Sequence, residues 1–459
     1  MRLRSVDYVN LEGRGFIPIW LALAFSGRHY SCEVASTVFS ILCDCRVMSR
    51  GVRAMPHLIS RKIKNGFLLT RGISSLLALI FSLYYSKTLG IEKRSLITLM
   101  LVVTVIVMVA LTSGVGLAFR KYTVSNPELI SLSAYLYTNL ILAFLVSGFS
   151  IGILLLYSGS RVSIPTTLLY LAAIYAFLGA LDFNFHQGLI AYGMFKIASV
   201  LDLLTIVIQI SVFFLFSISN QVSIAASLFT SLIISYFTSV VSSALILLVH
   251  TNASISPSWK EISLLIKTST PFHVIGIANG FADRIDRIAI AWFLPLGVLG
   301  KFAVGTSLLS YLRFLPEAIS RLIVSGQSNF QLGVSRLLGK SWIARFFIGA
   351  FVSLVFAIFS QVLVWGVLGK QWLIPFIVVL GFSVQELMRG YFQLRVSALV
   401  AAGKESLVSR LSIFLIALSA ILSLIGINLA GLIGVPIGIA LTYLILIFLS
   451  YKNLSGITK

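Results

Sequence analysis

Cysteine is nearly missing from this chain. Cys32, Cys43 and Cys45 lie in the first 45 residues and none follows. A disulfide frame or a cysteine-based metal centre in the rest of the chain is therefore excluded. The five histidines, His29, His57, His186, His250 and His273, show no ligand spacing, so neither zinc nor haem is expected and no cofactor is implied. Long polar loops are also lacking: after residue 66 none exceeds about 17 residues. The loops hold no paired carboxylates, no Ser/His/Asp set, no Walker lysine and no glycine-rich phosphate loop. An enzyme that works in an extramembrane loop or domain has nowhere to put its chemistry here.

Acidic residues are scarce, 14 Asp and Glu against 35 Lys and Arg, and all charged residues together make up 11% of 459. Hydrophobic residues make up 58% and the mean hydropathy is +1.01. Apolar runs of helical length recur throughout, which rules out a soluble domain and defines a polytopic membrane protein, all-α in class. The net charge of +21 would suggest nucleic acid in a soluble protein. In a membrane protein, Lys- and Arg-rich cytoplasmic loops are the first explanation, and a basic interior for an anionic head group is the second.

Residues 1–64 differ from the rest. They carry ten Lys and Arg, and their apolar stretches, 16–25 and 34–43, fall short of the roughly 20 residues a span requires. Asp7, Glu12 and Pro18 do not suit a signal peptide. Either this is a basic cytoplasmic tail with little fixed structure, or translation starts at Met55.

From Gly66 onward twelve spans are expected: 66–86, 95–117, 130–157, 164–185, 196–218 and 223–249, then 268–294, 298–325, 341–368, 372–399, 406–427 and 430–451. The polar stretch 251–267 separates two near-equal halves, a six-helix lobe over 65–250 and a second over 268–459. Six helices per half means that the halves repeat in parallel orientation. Arg120, Lys121, Lys196, Lys260, Lys267, Arg336, Lys340, Lys404 and Lys452 fall on one side, with the basic N-terminal segment. That side is expected to be cytoplasmic and to hold both termini, with Glu92-Lys93-Arg94 as an exception on the other.

Ionisable groups inside spans are costly and are the best site candidates. The seventh span holds Asp283, Arg284, Asp286 and Arg287; on one continuous helix Asp283, Asp286 and Arg287 fall within about a 100° arc. They either line a cavity or neutralise one another, Asp283 with Arg287 at i,i+4. Arg313, Glu317 and Arg321 form a stripe on the eighth span around Pro316, where a kink is expected. The tenth span adds Glu386, Arg389 and Arg395. The first half is poorer, with Arg71 near the start of its span and Asp182, Asn184 and Asp202 near cytoplasmic ends, where caps are an alternative. Arg71, Arg284, Arg287, Arg313, Arg389 and Arg395 outnumber the deep carboxylates Asp283, Asp286, Glu317 and Glu386. Guanidinium forks suit phosphate oxygens.

Three stretches resemble bacterial polysaccharide exporters: Lys64-Asn65-Gly66 with 85–90 (Tyr-Ser-Lys-Thr-Leu-Gly), 281–290 (Phe-Ala-Asp-Arg-Ile-Asp-Arg-Ile-Ala-Ile), and 296–304 (Leu-Gly-Val-Leu-Gly-Lys-Phe-Ala-Val). They are similar to the Wzx-type O-antigen flippases of the multidrug/oligosaccharidyl-lipid/polysaccharide exporter superfamily, over about 60–455. The resemblance implies a MATE-like fold, two six-helix lobes around a central cavity that opens alternately to each side of the cytoplasmic membrane. It implies flipping of undecaprenyl-diphosphate-linked oligosaccharide for O-antigen, capsule or exopolysaccharide synthesis, beside other assembly proteins and without nucleic acid. By analogy Arg284, Arg287 and Arg313 contact the diphosphate or sugar, with Arg71 and Arg389 behind them. Asp283, Asp286, Glu317 and Glu386 would hold the arginines, or titrate if a proton or sodium gradient drives transport. The alternatives are a cation-coupled multidrug exporter of the same superfamily, which would favour acidic groups in the first lobe, and a membrane polymerase, ligase or glycosyltransferase of glycan assembly.

Overall fold

A computed structural model describes residues 59–125, 130–160, 163–218, 223–251, 258–313, 342–401 and 403–455. Contacts divide the chain at residue 64, and residues 65–459 form one compact unit. Met55 and the basic segment before it lie outside the described residues.

Each of the twelve expected spans contains helix among the described residues. Helix α1 (Ile59–Ser125) supplies the first two as limbs meeting at Gly90, whose φ of 73° is a left-handed value that a residue with a side chain resists. Then come α2 (Leu132–Ser160), α3 (Thr166–Ala191), α4 (Phe195–Ile218) and α5 (Ile224–Thr251). The second half runs through α6 (Trp259–Ala282), α7 (Ile285–Phe293), α8 (Leu296–Leu309), α9 (Trp342–Leu368), α10 (Phe376–Ala401), α11 (Glu405–Ala430) and α12 (Gly434–Ser455). No strand occurs among the described residues. Seven helical stretches are long and apolar enough to cross a membrane by composition alone, and two of them, Gly72–Thr123 and Glu405–Ser450, each supply two crossings. Those seven stretches do not include α6, α7 and α10, the helices that carry Asp283, Asp286, Arg287, Glu386 and Arg389.

Two boundaries depart from the sequence reading in ways that matter. The fourth span does not end near 185 but continues as helix to Ala191, so Asp182 and Asn184 are not terminal caps. The polar residues of 182–187 pull down local hydropathy, and that dip reads as a helix end when it is a polar helix interior. The seventh span starts at Trp259 and is broken: α6 ends at Ala282, Arg284 takes φ −132°, and α7 restarts at Ile285. The continuous arc of Asp283, Asp286 and Arg287 is corrected accordingly, because the break rotates the two sides independently.

Large apolar side chains cover the outside, among them Phe144, Leu156, Leu429 and Phe448 at 64–82% exposure. A surface of that kind is stable only against lipid. Inside, small residues allow close helix approach, as expected where no hydrophobic force drives helices together. A Cβ on Gly276 would overlap Ser113, and one on Gly280 would overlap Val109, so α6 lies directly on the second limb of α1. The first limb meets α8 and α9 through Leu79, Leu83, Val304, Leu308, Val364 and Leu368.

Candidate functional site

Arg389 on α10 is 2% exposed and forms an ion pair with Asp283 at the end of α6. Glu386, one turn earlier on α10, offers Oε1 to Arg389 at 3.4 Å. The two carboxylates and one guanidinium tie the break in the seventh span to the tenth span. Asp283 therefore serves Arg389 across the lobe. Arg395, 3% exposed, donates to the Ile447 carbonyl at 2.7 Å and Ser450 Oγ at 3.1 Å on α12. Its other face meets the Tyr391 hydroxyl at 3.1 Å, with the ring centroid 4.9 Å away. Arg395 clasps α10 to α12 and is removed from the candidate binding cations.

The break itself presents Arg284 and Arg287. Arg284 donates to the Asp283 carbonyl at 3.1 Å. Asp286 is 1% exposed and its carboxylate accepts the Arg287 backbone N–H at 2.7 Å. Arg287 is half-buried and its Nε has no hydrogen-bond partner in the interior. A guanidinium nitrogen in that position has the capacity to donate to an oxygen acceptor. Arg71 lies on α1 and Arg313 at the end of the 3₁₀ turn Ser310–Arg313, but neither side chain is among those described; Glu317 and Pro316 lie outside the described residues.

The first lobe holds a cluster that sequence reasoning passed over. His186 on α3 sits between two carboxylates: Asp182 Oδ1 is 3.3 Å from Nδ1, and Asp202 Oδ1, from α4, is 3.2 Å from Nε2. Asp182 and His186 are one turn apart on the same helix, a spacing visible in the sequence. Asp202 comes from the next helix, which the sequence does not align. Beside them Arg120 donates to Gln187 Oε1 at 3.0 Å, and the Tyr135 hydroxyl donates to the Asn184 carbonyl at 2.5 Å.

Two polar contacts bridge the lobes at one end. Lys121, closing α1, pairs with Glu405 in the first turn of α11. Ser131, before α2, donates its hydroxyl and its N–H to Glu261 in the first turn of α6. At the opposite end Arg94 is buried, hydrogen-bonded to the Tyr85 hydroxyl with its guanidinium 4.6 Å above that ring. Arg94 is thus an internal clasp at the Gly90 bend rather than a free loop charge.

No family model and no curated protein matches the chain. Solved structures do. An outward-facing MATE-family multidrug resistance transporter of the MOP superfamily superposes with a TM-score of 0.64 at 13% identity, over 86% of this chain and 96% of that one. A point mutant of the Vibrio cholerae MATE transporter VcmN gives 0.62 at 14% identity, over 86% and 95%. A MOP superfamily transporter from Pyrococcus furiosus, described as having a binding pocket of reverse polarity that suggests a different function, gives 0.55 at 15%, over 86% and 96%. The chain is an all-α polytopic membrane protein with two six-helix lobes around a central cavity. Its fold is that of the MATE transporters of the MOP superfamily.

Proposed function

We propose that this chain is a transporter of the cytoplasmic membrane, both termini cytoplasmic, that flips an undecaprenyl-diphosphate-linked oligosaccharide between leaflets by alternating access. The observation that carries the reading is the cationic break in the seventh span: Arg284 and Arg287 stand three residues apart at it, and the Arg287 Nε has no hydrogen-bond partner within the protein. A diphosphate cannot cross hydrocarbon without such partners, because each unpaired charge there costs several kcal/mol. Its prenyl chain needs no site and stays in the bilayer. Arg389 stands behind this pair, held by Asp283 and Glu386, while Asp286 fixes the turn carrying Arg287. Arg313 and Arg71 belong to the same proposed path, and Glu317 would partner Arg313. The Pyrococcus furiosus transporter supports the reading to this extent: the fold accommodates a pocket whose polarity is reversed.

A cation-coupled multidrug exporter is the second reading, and Asp182 with Asp202 in the first lobe favours it. Against it, His186 stands between those carboxylates, and α1 places no acidic residue within 66–86 or 95–117. Glycan polymerase or ligase chemistry is not part of the proposal.

Deleting the gene and extracting lipid-linked oligosaccharides separates the readings. Accumulated undecaprenyl-diphosphate oligosaccharide with loss of surface glycan is expected. Unchanged glycan with increased drug sensitivity would transfer the assignment to the exporter, and lost glycan without an intermediate would point to an enzyme.

A further inference from the structure

We infer that Asp182, His186 and Asp202 form a proton-binding site between α3 and α4 in the first lobe. The chemistry starts with hydrogen-bond capacity. A neutral imidazole has one N–H, and its other nitrogen carries a lone pair. Here each ring nitrogen faces a carboxylate oxygen, 3.3 Å on one side and 3.2 Å on the other. With both carboxylates ionised and the ring neutral, one nitrogen lone pair opposes an oxygen lone pair in a site that is 9% exposed at the histidine. One added proton, on the ring or on a carboxyl, removes that conflict. His186 Nδ1 also lies 3.1 Å from the Asp182 backbone carbonyl, which takes its N–H and leaves the lone pair on Nε2, facing Asp202. Asp182 Oδ1 and His186 Nε2 are buried without a hydrogen-bond partner within the protein.

Every element packed around the ring contributes to its electrostatics. The second limb of α1 brings Arg120, held on Gln187 next to His186. Helix α2 brings the Tyr135 hydroxyl, already committed to the Asn184 carbonyl. Helix α4 brings Asp202, while its first-turn Lys196 is exposed. Helix α5 brings Tyr236, which stacks on Tyr175 of α3 with centroids 5.5 Å apart and planes 21° apart.

The cluster lies between α3 and α4 and joins them only while it holds the proton. After loss of the proton, two carboxylates face a neutral ring and the helices repel. Coupling of the proton to transport rests on the function proposed above; the proton site itself does not. This places the titrating group in the first lobe, because Asp283 and Glu386 are committed to Arg389.

Full-length protein in lipid nanodiscs, labelled with 15N-histidine, tests the site without any substrate. His186→Gln assigns the signal among the five histidines. The ring is expected to titrate between about pH 5 and 9, with a midpoint that moves by about one unit or more in Asp202→Asn or Asp182→Asn, as for a charge within about 4–6 Å. A ring that keeps one protonation state across that range, or a midpoint indifferent to both carboxylates, overturns the proposal. Where one asparagine variant does not fold, the other decides, and Asp202→Glu is expected to restore the wild-type midpoint. In proteoliposomes with an internal pH dye and a short-chain prenyl-diphosphate-linked sugar, wild type is expected to couple proton flux to sugar movement, and Asp202→Asn to lose the flux. Flux retained in Asp202→Asn overturns the coupling. A titrating His186 in a protein that moves no sugar leaves the proton site standing and removes the substrate reading.

Discussion

Replacing Arg389 with glutamine removes the one cation from a group of three, of which Arg389 and Glu386 are nearly sealed from solvent and Asp283 is partly exposed. Arg389 and Glu386 are each 2% exposed, and Asp283 is the second partner. The loss follows from what the carboxylates do next. Left ionised, Glu386 is a buried charge whose partner is gone, a change that costs about 3–5 kcal/mol. Neutralised by a proton at pH 7, it must be protonated about three units above the ordinary carboxyl value, at about 1.4 kcal/mol per unit, or about 4 kcal/mol. The two routes agree, so about 4 kcal/mol is the expected loss, and for a chain of this size that lowers the melting temperature by about 4 °C. Thermal inactivation of monodisperse protein in nanodiscs measures it. The triple replacement Arg389→Met, Asp283→Leu, Glu386→Met is expected to recover most of the loss, because an apolar set can replace a buried ion group at little cost. A fall of less than about 1 °C for Arg389→Gln would refute the reasoning: water would then reach the group, and Arg389 would be free to meet substrate.

Arg287→Gln is expected to leave the melting temperature within about 1–2 °C of wild type, since no side-chain partner is orphaned, while lowering export of lipid-linked glycan at least tenfold; normal export would remove Arg287 from the site. Arg395→Leu is expected to cost about 3 kcal/mol of stability through the lost contacts to Ile447, Ser450 and Tyr391, with transport per folded molecule unchanged. Gly276→Leu is expected to lower stability by about 2–3 kcal/mol or to block assembly, because its side chain must displace Ser113, and a companion Ser113→Gly is expected to restore part of it. Lys121→Glu and Glu405→Lys should each change stability by no more than about 1 kcal/mol, the pair being partly exposed. A disulfide between cysteines at 121 and 405, in a background without Cys32, Cys43 and Cys45, is expected to stop transport reversibly with reductant, and transport through the closed disulfide would show that these lobe ends need not part.

The helices were legible because the apolar runs are long and the loops short. What hydropathy could not supply was the behaviour of helices carrying polar groups. Phe183-Asn184-Phe185-His186 reads as the end of a span, yet the helix continues to Ala191, with Tyr135 donating to the Asn184 backbone carbonyl and Arg120 to Gln187. The break at Asp283-Arg284 was equally hidden. Its residues permit a helix, and Asp283 takes its partner from the tenth span, a pairing no local rule proposes. The i,i+3 pair of Glu386 and Arg389, by contrast, was written in the spacing and forms at 3.4 Å.

The site was legible as a list of charges but not as a set of roles, and the difference lies in counting partners. Six arginines against four carboxylates describes a net excess; it does not say which cations remain to bind an anion. Arg389 has two carboxylates, and Arg395 has a carbonyl, a serine and a tyrosine, so neither can take up a phosphate without giving up a contact already made. Arg287 Nε has no hydrogen-bond partner to give up. The same accounting moves the titrating function away from the carboxylates of the second lobe, where arginine neutralises them, to a histidine whose two nitrogens face two acids. The Asp-x-x-x-His step at 182 and 186 was the available signal, and the rule that would have found it is physical: in a membrane-spanning helix, two ionisable groups one turn apart share a surface, and a third from the next helix turns that surface into a site.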